Sequence, residues 1–235
     1  MAAENGTIVT VTDGNSGTVR REGLPGGPVI AYLNPSHFSL AKDTKVTMTI
    51  DDSGADPIAT ILSIAASNPC AAYPDEGTVK TGSLSGNQTV EAGTTITFKG
   101  ATITGKVDVK NGGKVIIKTD DNGVKTTITK GLNANQNGRV IICKSEIQGN
   151  VAVTNSPELT ITGATIGSTL VSVNNGAVKI DATAVDGDVI CNNSTVSAVI
   201  TGCNITGNLE MHNNAGCSQS GNTVGAGCTN SGCVG

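Results

Sequence analysis

The feature that most constrains this chain is a period. One apolar position recurs at Leu84, Ile103, Ile128, Ile147, Ile166, Val185, Ile205 and Val224, in steps of 19, 25, 19, 19, 19, 20 and 19 residues. Glycine follows two residues later at Gly86, Gly105, Gly149, Gly187 and Gly207, and one residue out of step at Gly131 and Gly167. Two further registers keep pace. Apolar pairs recur at Val107/Val109, Val151/Val153, Val171/Val173, Val189/Cys191 and Leu209/Met211, each with an asparagine two residues on (Asn111, Asn155, Asn175, Asn193, Asn213). A third strand recurs at Ile96/Phe98, Val115/Ile117, Val140/Ile142, Leu159/Ile161 and Val178/Ile180.

Three short strands per lap, separated by residues that tolerate positive φ, describe a β-solenoid with coils of about 19 residues. A single coil cannot bury its apolar side, so stacked neighbours must close a continuous core. Seven or eight coils at roughly 4.8 Å each make a rod of about 35 Å. The one step of 25 marks an insertion around Thr119–Val124, with Asp120, Asp121, Asn122 and Gly123 expected to protrude as an interaction loop.

Composition supports an all-β chain. Of 235 residues, 31 are Gly, charged residues are 14% and aromatics 2%, a mixture that favours strands and tight turns. Formal net charge is −4, and the rings are Tyr32, Phe38, Tyr73 and Phe98, with no tryptophan. Such a chain lacks both the positive field and the stacking platforms of nucleic-acid binders. No apolar run approaches the ~18 residues of a membrane span, and Met1-Ala-Ala-Glu-Asn-Gly lacks the basic flank and apolar run of a signal peptide. Neither nucleic acid nor stable membrane insertion is expected.

Residues 1–66 have another grammar. Ile8–Val11, Thr18–Arg20, Pro28–Leu33, Lys45–Ile50 and Ile58–Ser63 read as five short strands, with Gly23–Pro28 and Asp51–Gly54 as turns. Five strands in about 60 residues suit a small OB-like Greek-key barrel. Residues 67–82 read as a linker, 83–214 as the β-helix, and 215–235 as a Cys/Gly-rich cap or tip.

Catalytic chemistry is weakly written. Outward positions carry Asp108, Asp188 and Glu210, but their counterparts read as Ala152, Ser172 and Ile190, so no acidic stripe forms of the kind a polysaccharide-active β-helix needs. The residues flanking the key isoleucines, Thr102/Thr104, Glu146/Gln148, Thr165/Gly167, Ala184/Asp186 and Asn204/Thr206, keep no threonine ladder for ice. No enzyme, cofactor or resident metal is expected.

The seven cysteines fall into groups. Cys191 and Cys203 align with inward or small-residue columns and read as buried small hydrophobes. The side on which Cys143 lies is open. His212, Cys217, Cys228 and Cys233 could form a tetrahedral metal set, though their spacing matches no familiar knuckle. Disulfides among Cys217, Cys228 and Cys233, within or between chains, explain the tail better. Cys70 is placed for a bond to another chain. His37 reads as a loop residue.

Two family resemblances touch the first segment. Gly6-Thr-Ile-Val, His37-Phe-Ser and Lys45-Val-Thr-Met-Thr-Ile resemble the cold-shock family, yet Ile8–Val11 and Thr18–Arg21 carry none of the aromatic residues that family binds with. Asp43–Ile64, followed by Ser67-Asn-Pro, resembles the spike and baseplate proteins of contractile phage tails and type VI-like injection machines. The order of barrel, linker, β-helix and tip matches that family as well. The resemblance implies a non-enzymatic structural rod that docks by its barrel, a homotrimer with other structural proteins as partners, and a place in a virion or outside the cell. That family's metal tip often uses a His-x-His pair, of which only His212 is present. Whether one chain or three wind the rod is left open. A surface adhesion module binding a receptor or glycan is the alternative, followed by a polysaccharide-active enzyme.

Overall fold

A computed structural model describes residues 4–13, 16–21, 29–33, 45–51, 58–64, 69–136 and 138–231. The chain divides into two compact units, Met1–Asn68 and Pro69–Gly235. His37, Phe38, Cys233 and the expected turns at 23–28 and 52–54 lie outside the described residues.

In the first unit, β1 (Glu4–Asp13), β2 (Ser16–Arg21), β3 (Val29–Leu33), β4 (Lys45–Asp51) and β5 (Ile58–Ile64) pair in the closed order β1-β2-β3-β5-β4. All contacts are antiparallel except β3 with β5. Closure leaves no free edge strand. Val19, Ile30, Tyr32, Met48, Ile50 and Ala59 form its small buried core.

The second unit is a β-solenoid of eight coils wound by this one chain. Each coil runs through three faces. In coil 4 the first face is Arg139–Cys143, the second Glu146–Ile147 and the third Asn150–Thr154. Every face is parallel and in register: Val115, Val140 and Leu159 stack on the first, Ile128, Ile147 and Ile166 on the second, and Leu132, Val151 and Leu170 on the third. The key isoleucine column is the second face. Alternation sends these residues inward, so one continuous core runs from coil 1 to coil 8. Each fully buried Val, Leu or Ile contributes about 1.5–3 kcal/mol relative to exposure.

Corners obey two separate rules. Positive φ recurs after the third face at Asn155 (54°), Asn174 (53°), Asn193 (58°) and Asn213 (52°), and after the first face at Lys144 (47°), Gly163 (61°), Ala182 (46°), Gly202 (61°) and Gly221 (65°). The glycines behind the key isoleucine answer a different need. A Cβ on Gly149 would collide with the Lys130 carbonyl, and one on Gly167 would sit 2.8 Å from the Gln148 carbonyl oxygen. Close approach of successive coils, not positive φ, selects glycine at Gly105, Gly149, Gly167, Gly187 and Gly207, whereas Gly86 has open space and a φ of 71°.

Four expectations shift. On the third face Leu170 and Ser172 point inward, and Val171 and Val173 outward, because Leu170 stacks on Val151 and Ser172 on Val153. The left-handed residue is therefore Asn174, and Asn175 turns into the core. The outward column reads Asp108, Asn133, Ala152, Val171, Ile190 and Glu210, so Asp188, two residues before Ile190, stands outside it. Residues 78–84, within the expected linker and the start of the helix, form the first strand of coil 1. Residues 217–231 of the expected cap continue all three ladders as coil 8.

Both ends of the core close with a polar pair across the lumen. Two inward columns supply them: one runs Lys80, Phe98, Ile117, Ile142 and ends at Gln219, the other Gln88, Val107, Leu132, Val151 and ends at Cys228. In coil 1, Lys80 Nζ donates to Gln88 Oε1 at 3.1 Å and lies 5.8 Å from the Phe98 ring centroid. In coil 8, Gln219 Nε2 donates to Cys228 Sγ at 3.1 Å. These residues replace the large aliphatics that a further coil would have to cover.

Candidate functional site

The outer side of the first face carries the densest cluster of charge and cross-links. Outward-facing Thr97, Ile116 and Ile141, at 0%, 0% and 3% exposure, are as buried as the core. Residues 69–77 form a strap that runs down this face from coil 4 to coil 2. It begins with the short 3-10 helix Pro69–Ala72, whose Cys70 is disulfide-bonded to Cys143 at the end of the coil 4 strand, Cα–Cα 5.5 Å. Lys118 Nζ then donates to the Tyr73 carbonyl at 2.7 Å. The Glu76 N–H donates to Thr97 Oγ1 at 3.0 Å, and Thr97 Oγ1 donates back to the Glu76 carbonyl at 2.8 Å.

Ion pairs hold the strap along its length. Asp75 meets Lys118 at 2.5 Å and Lys99 at 3.1 Å, and Glu76 meets Lys114 at 2.6 Å. Lys118, with Lys99 after it, draws the Asp75 carboxyl below its ordinary pKa. Lys99 is raised above the usual lysine value, chiefly by Asp121 and then by Asp75. It thereby joins the strap to the insertion loop, its Nζ 2.8 Å from Asp121.

That loop lies at the corner between the first and second faces of coil 3, where the step of 25 places it. Asp121, Asn122, Gly123 and Val124 are exposed. Asp120 organises them: its Oδ1 accepts the N–H groups of Asn122 at 2.9 Å and Val124 at 2.7 Å. The extra residues rejoin the coil at buried Thr126, whose Oγ1 donates to the Lys118 carbonyl at 2.7 Å and accepts the Ala101 N–H at 3.2 Å.

The cysteines follow expectation in part: Cys191 and Cys203 are buried and Cys217 is disulfide-bonded, while Cys70 and Cys228 differ. Cys70 bonds within the chain, to Cys143, because winding brings coil 4 to the strap across 73 residues of sequence. Cys217 is disulfide-bonded, which removes its thiolate from the set His212, Cys217, Cys228 and Cys233. Cys228 is a free, exposed thiol, not a disulfide partner, while Cys191 and Cys203 are free and buried. Burial pushes both of those thiols above the ordinary cysteine pKa. His212 stands beside Ser231 on the third face.

Of the outward acids, Asp108 and Glu210 share a column but stand five coils apart, about 24 Å at the strand spacing. Paired-carboxylate hydrolysis works at about 5–9.5 Å. Asp188 is committed to structure: its Oδ1 accepts the Asn208 N–H at 2.7 Å. Asp108, Lys110, Asn133, Asn135 and Gln136 line a shallow polar depression of about 280 Å³ beside the third face.

Sequence reasoning missed the strap and the two end pairs. The end pairs had a readable signal, since Lys80 and Gln219 fall in an otherwise apolar or aromatic column. The strap had none, because its partners lie 21 to 73 residues away. Comparison with protein families, curated proteins and solved structures finds no match.

Proposed function

We propose that this chain is a structural, non-enzymatic rod that docks through its N-terminal barrel, OB-like in strand order, and projects a stiff β-helix, in the manner of a contractile-tail spike or baseplate component. The observation that carries this reading is the unbroken three-face ladder of eight coils, capped by polar pairs and interrupted among the described residues by a single short loop. A closed winding resists lateral association and transmits load through backbone hydrogen bonds. The internal disulfide favours an oxidising setting, a virion or the cell exterior.

The test is mechanical. In one tether with an immunoglobulin domain as reference, attached at the N-terminus and at exposed position 179 of interior coil 6, the solenoid should outlast that domain under load. A solenoid that unravels first would overturn the reading. The resemblance also carries a trimer, which native mass spectrometry of the full chain decides. A receptor-binding role is the second reading, favoured by the exposed loop Asp120–Gly123 held in a fixed shape by Asp120. Loss of attachment on deleting those residues would support it, and unchanged attachment would reject it.

A further inference from the structure

We infer that the Cys70–Cys143 disulfide is a load-path clamp, which delivers force from the first unit into the middle of the solenoid and takes coils 1–3 out of the line of tension. The inference rests on the load-bearing reading above.

Tension on residues before Pro69 meets its first covalent branch at Cys70. One route follows the strap backbone into coil 1. The strap is held there by side-chain ion pairs and two hydrogen bonds to Thr97. Coil 1 is also the edge of the ladder, since among the described residues Thr78–Leu84 pairs only with Thr95–Ile103, and Gln88–Val90 only with Lys106–Val109. An edge coil loses its hydrogen bonds one after another, so this route peels.

The other route crosses the disulfide into Cys143, at the end of Arg139–Cys143. That strand is paired on both sides, with Lys114–Lys118 and with Glu158–Thr162. Pulling it out requires both ladders to give way together. The covalent route is the shorter one, so tension runs through it and the 73-residue span between the two cysteines stays slack. That span would otherwise extend by about 25 nm.

The strap is then a cover and not a cable. It shields Thr97, Ile116 and Ile141 while the sulfur bridge bears the load.

The experiment pulls the full chain between its N-terminus and an azide-bearing residue at exposed position 179, the Lys179 site on the first face of coil 6, so that tension leaves through an interior coil. Three forms are compared: the oxidised protein, Cys70→Ser/Cys143→Ser, and Asp75→Asn/Glu76→Gln with the disulfide intact. Should the double-serine form fail to fold, the wild type is reduced in the tether with a phosphine. The first unit lies in the tether of all three forms and adds the same event to each; beyond it, the solenoid of the oxidised protein should yield in one high-force event. Without the disulfide, coils 1–3 should unravel first, at lower force, in steps of one coil, about 7 nm each. The strap-weakened form should behave as the oxidised wild type. Equal rupture forces with and without the disulfide would overturn the inference, as would a fall in the strap-weakened form as large as in the serine form. A solenoid weaker than the reference domain in every form counts against the load-bearing reading, while the comparison among forms still judges the clamp.

Discussion

Asn175 offers the sharpest test of how the corners hold together. Its side chain is fully buried, with Oδ1 accepting the Ser156 N–H at 2.8 Å and Nδ2 donating to the Val153 carbonyl at 2.9 Å and to Ser172 Oγ at 2.7 Å. Asn175→Ala deprives two backbone groups of these partners. At about 1–3 kcal/mol for each unsatisfied buried group, the expected loss is about 4 kcal/mol. With a slope of about 2 kcal/mol per molar urea, the midpoint falls by about 2 M. Asn193→Ala is the control: it gives up an exposed bond to Asn174 and places alanine at a φ of 58°, for about 1–2 kcal/mol.

Asn175→Asp separates the hydrogen bond from the shape. The carboxylate keeps an acceptor for Ser156 but loses the donor and buries a charge, so its folded pKa lies above the unfolded value. Stability should drop as pH rises from about 4 towards that raised pKa, and recover in acid where the protonated group can donate. Urea titrations of the three variants at pH 7 and pH 4 check this. An Asn175→Ala loss below 1 kcal/mol, or one no larger than that of Asn193→Ala, would refute the claim that buried asparagine fastens the corner.

Other features are equally open to measurement. In the native protein a thiol reagent should label Cys228 quickly, and Cys191 and Cys203 only on unfolding; mass-mapped labelling of either buried thiol at the Cys228 rate contradicts their placement. Ala182→Gly should raise stability by about 0.5–1 kcal/mol in urea melts, since alanine holds a φ of 46° at a corner where Gly163, Gly202 and Gly221 stand in other coils. Asp75, with its pKa lowered by Lys118 and Lys99, supports the strap above pH ~4 and loses that support as pH falls through the lowered value; hydrogen exchange at residues 71–77 should therefore accelerate below pH 3.8, not between 5 and 7. Replacing the end pairs with aliphatics, Lys80→Leu/Gln88→Val and Gln219→Ile/Cys228→Leu, should produce concentration-dependent association by sedimentation, because bare apolar ends invite stacking. A protein that stays at one mass would count against their role as caps.

The solenoid was legible because one column of the second face admits only Leu, Val or Ile, and that column repeats through the whole winding. The third face was harder to read, and the reason is chemical. Leu170-Val171-Ser172-Val173 offers apolar residues on both sides of the strand, so alternation alone cannot choose between them. The true register buries Ser172, whose hydroxyl accepts a hydrogen bond from Asn175 Nδ2. One polar pair thus displaced the reading of that coil by a residue, and carried Asn175 with it. Glycine misled in a similar way. Its two uses, positive φ and close backbone approach, leave the same letter in the sequence.

The strap shows a deeper limit. Ser67-Asn-Pro-Cys-Ala-Ala-Tyr-Pro-Asp-Glu-Gly77 has the composition of a linker, and nothing local contradicts that. What fixes it is the first face of coils 2–4, where Ile116 and Ile141 point outward against the alternation that the rest of the core obeys. Two stacked outward isoleucines that are buried call for cover, unlike the outward Ile190 of the third face, which stays half-exposed. The column beside it, Lys99, Lys118 and Cys143, offers two cations and a thiol to whatever supplies that cover. Within this chain, Cys70, Asp75 and Glu76 bring a matching thiol and two carboxylates in one short stretch. Complementarity of this kind is written across the sequence rather than along it, and it appears only once the coils are stacked.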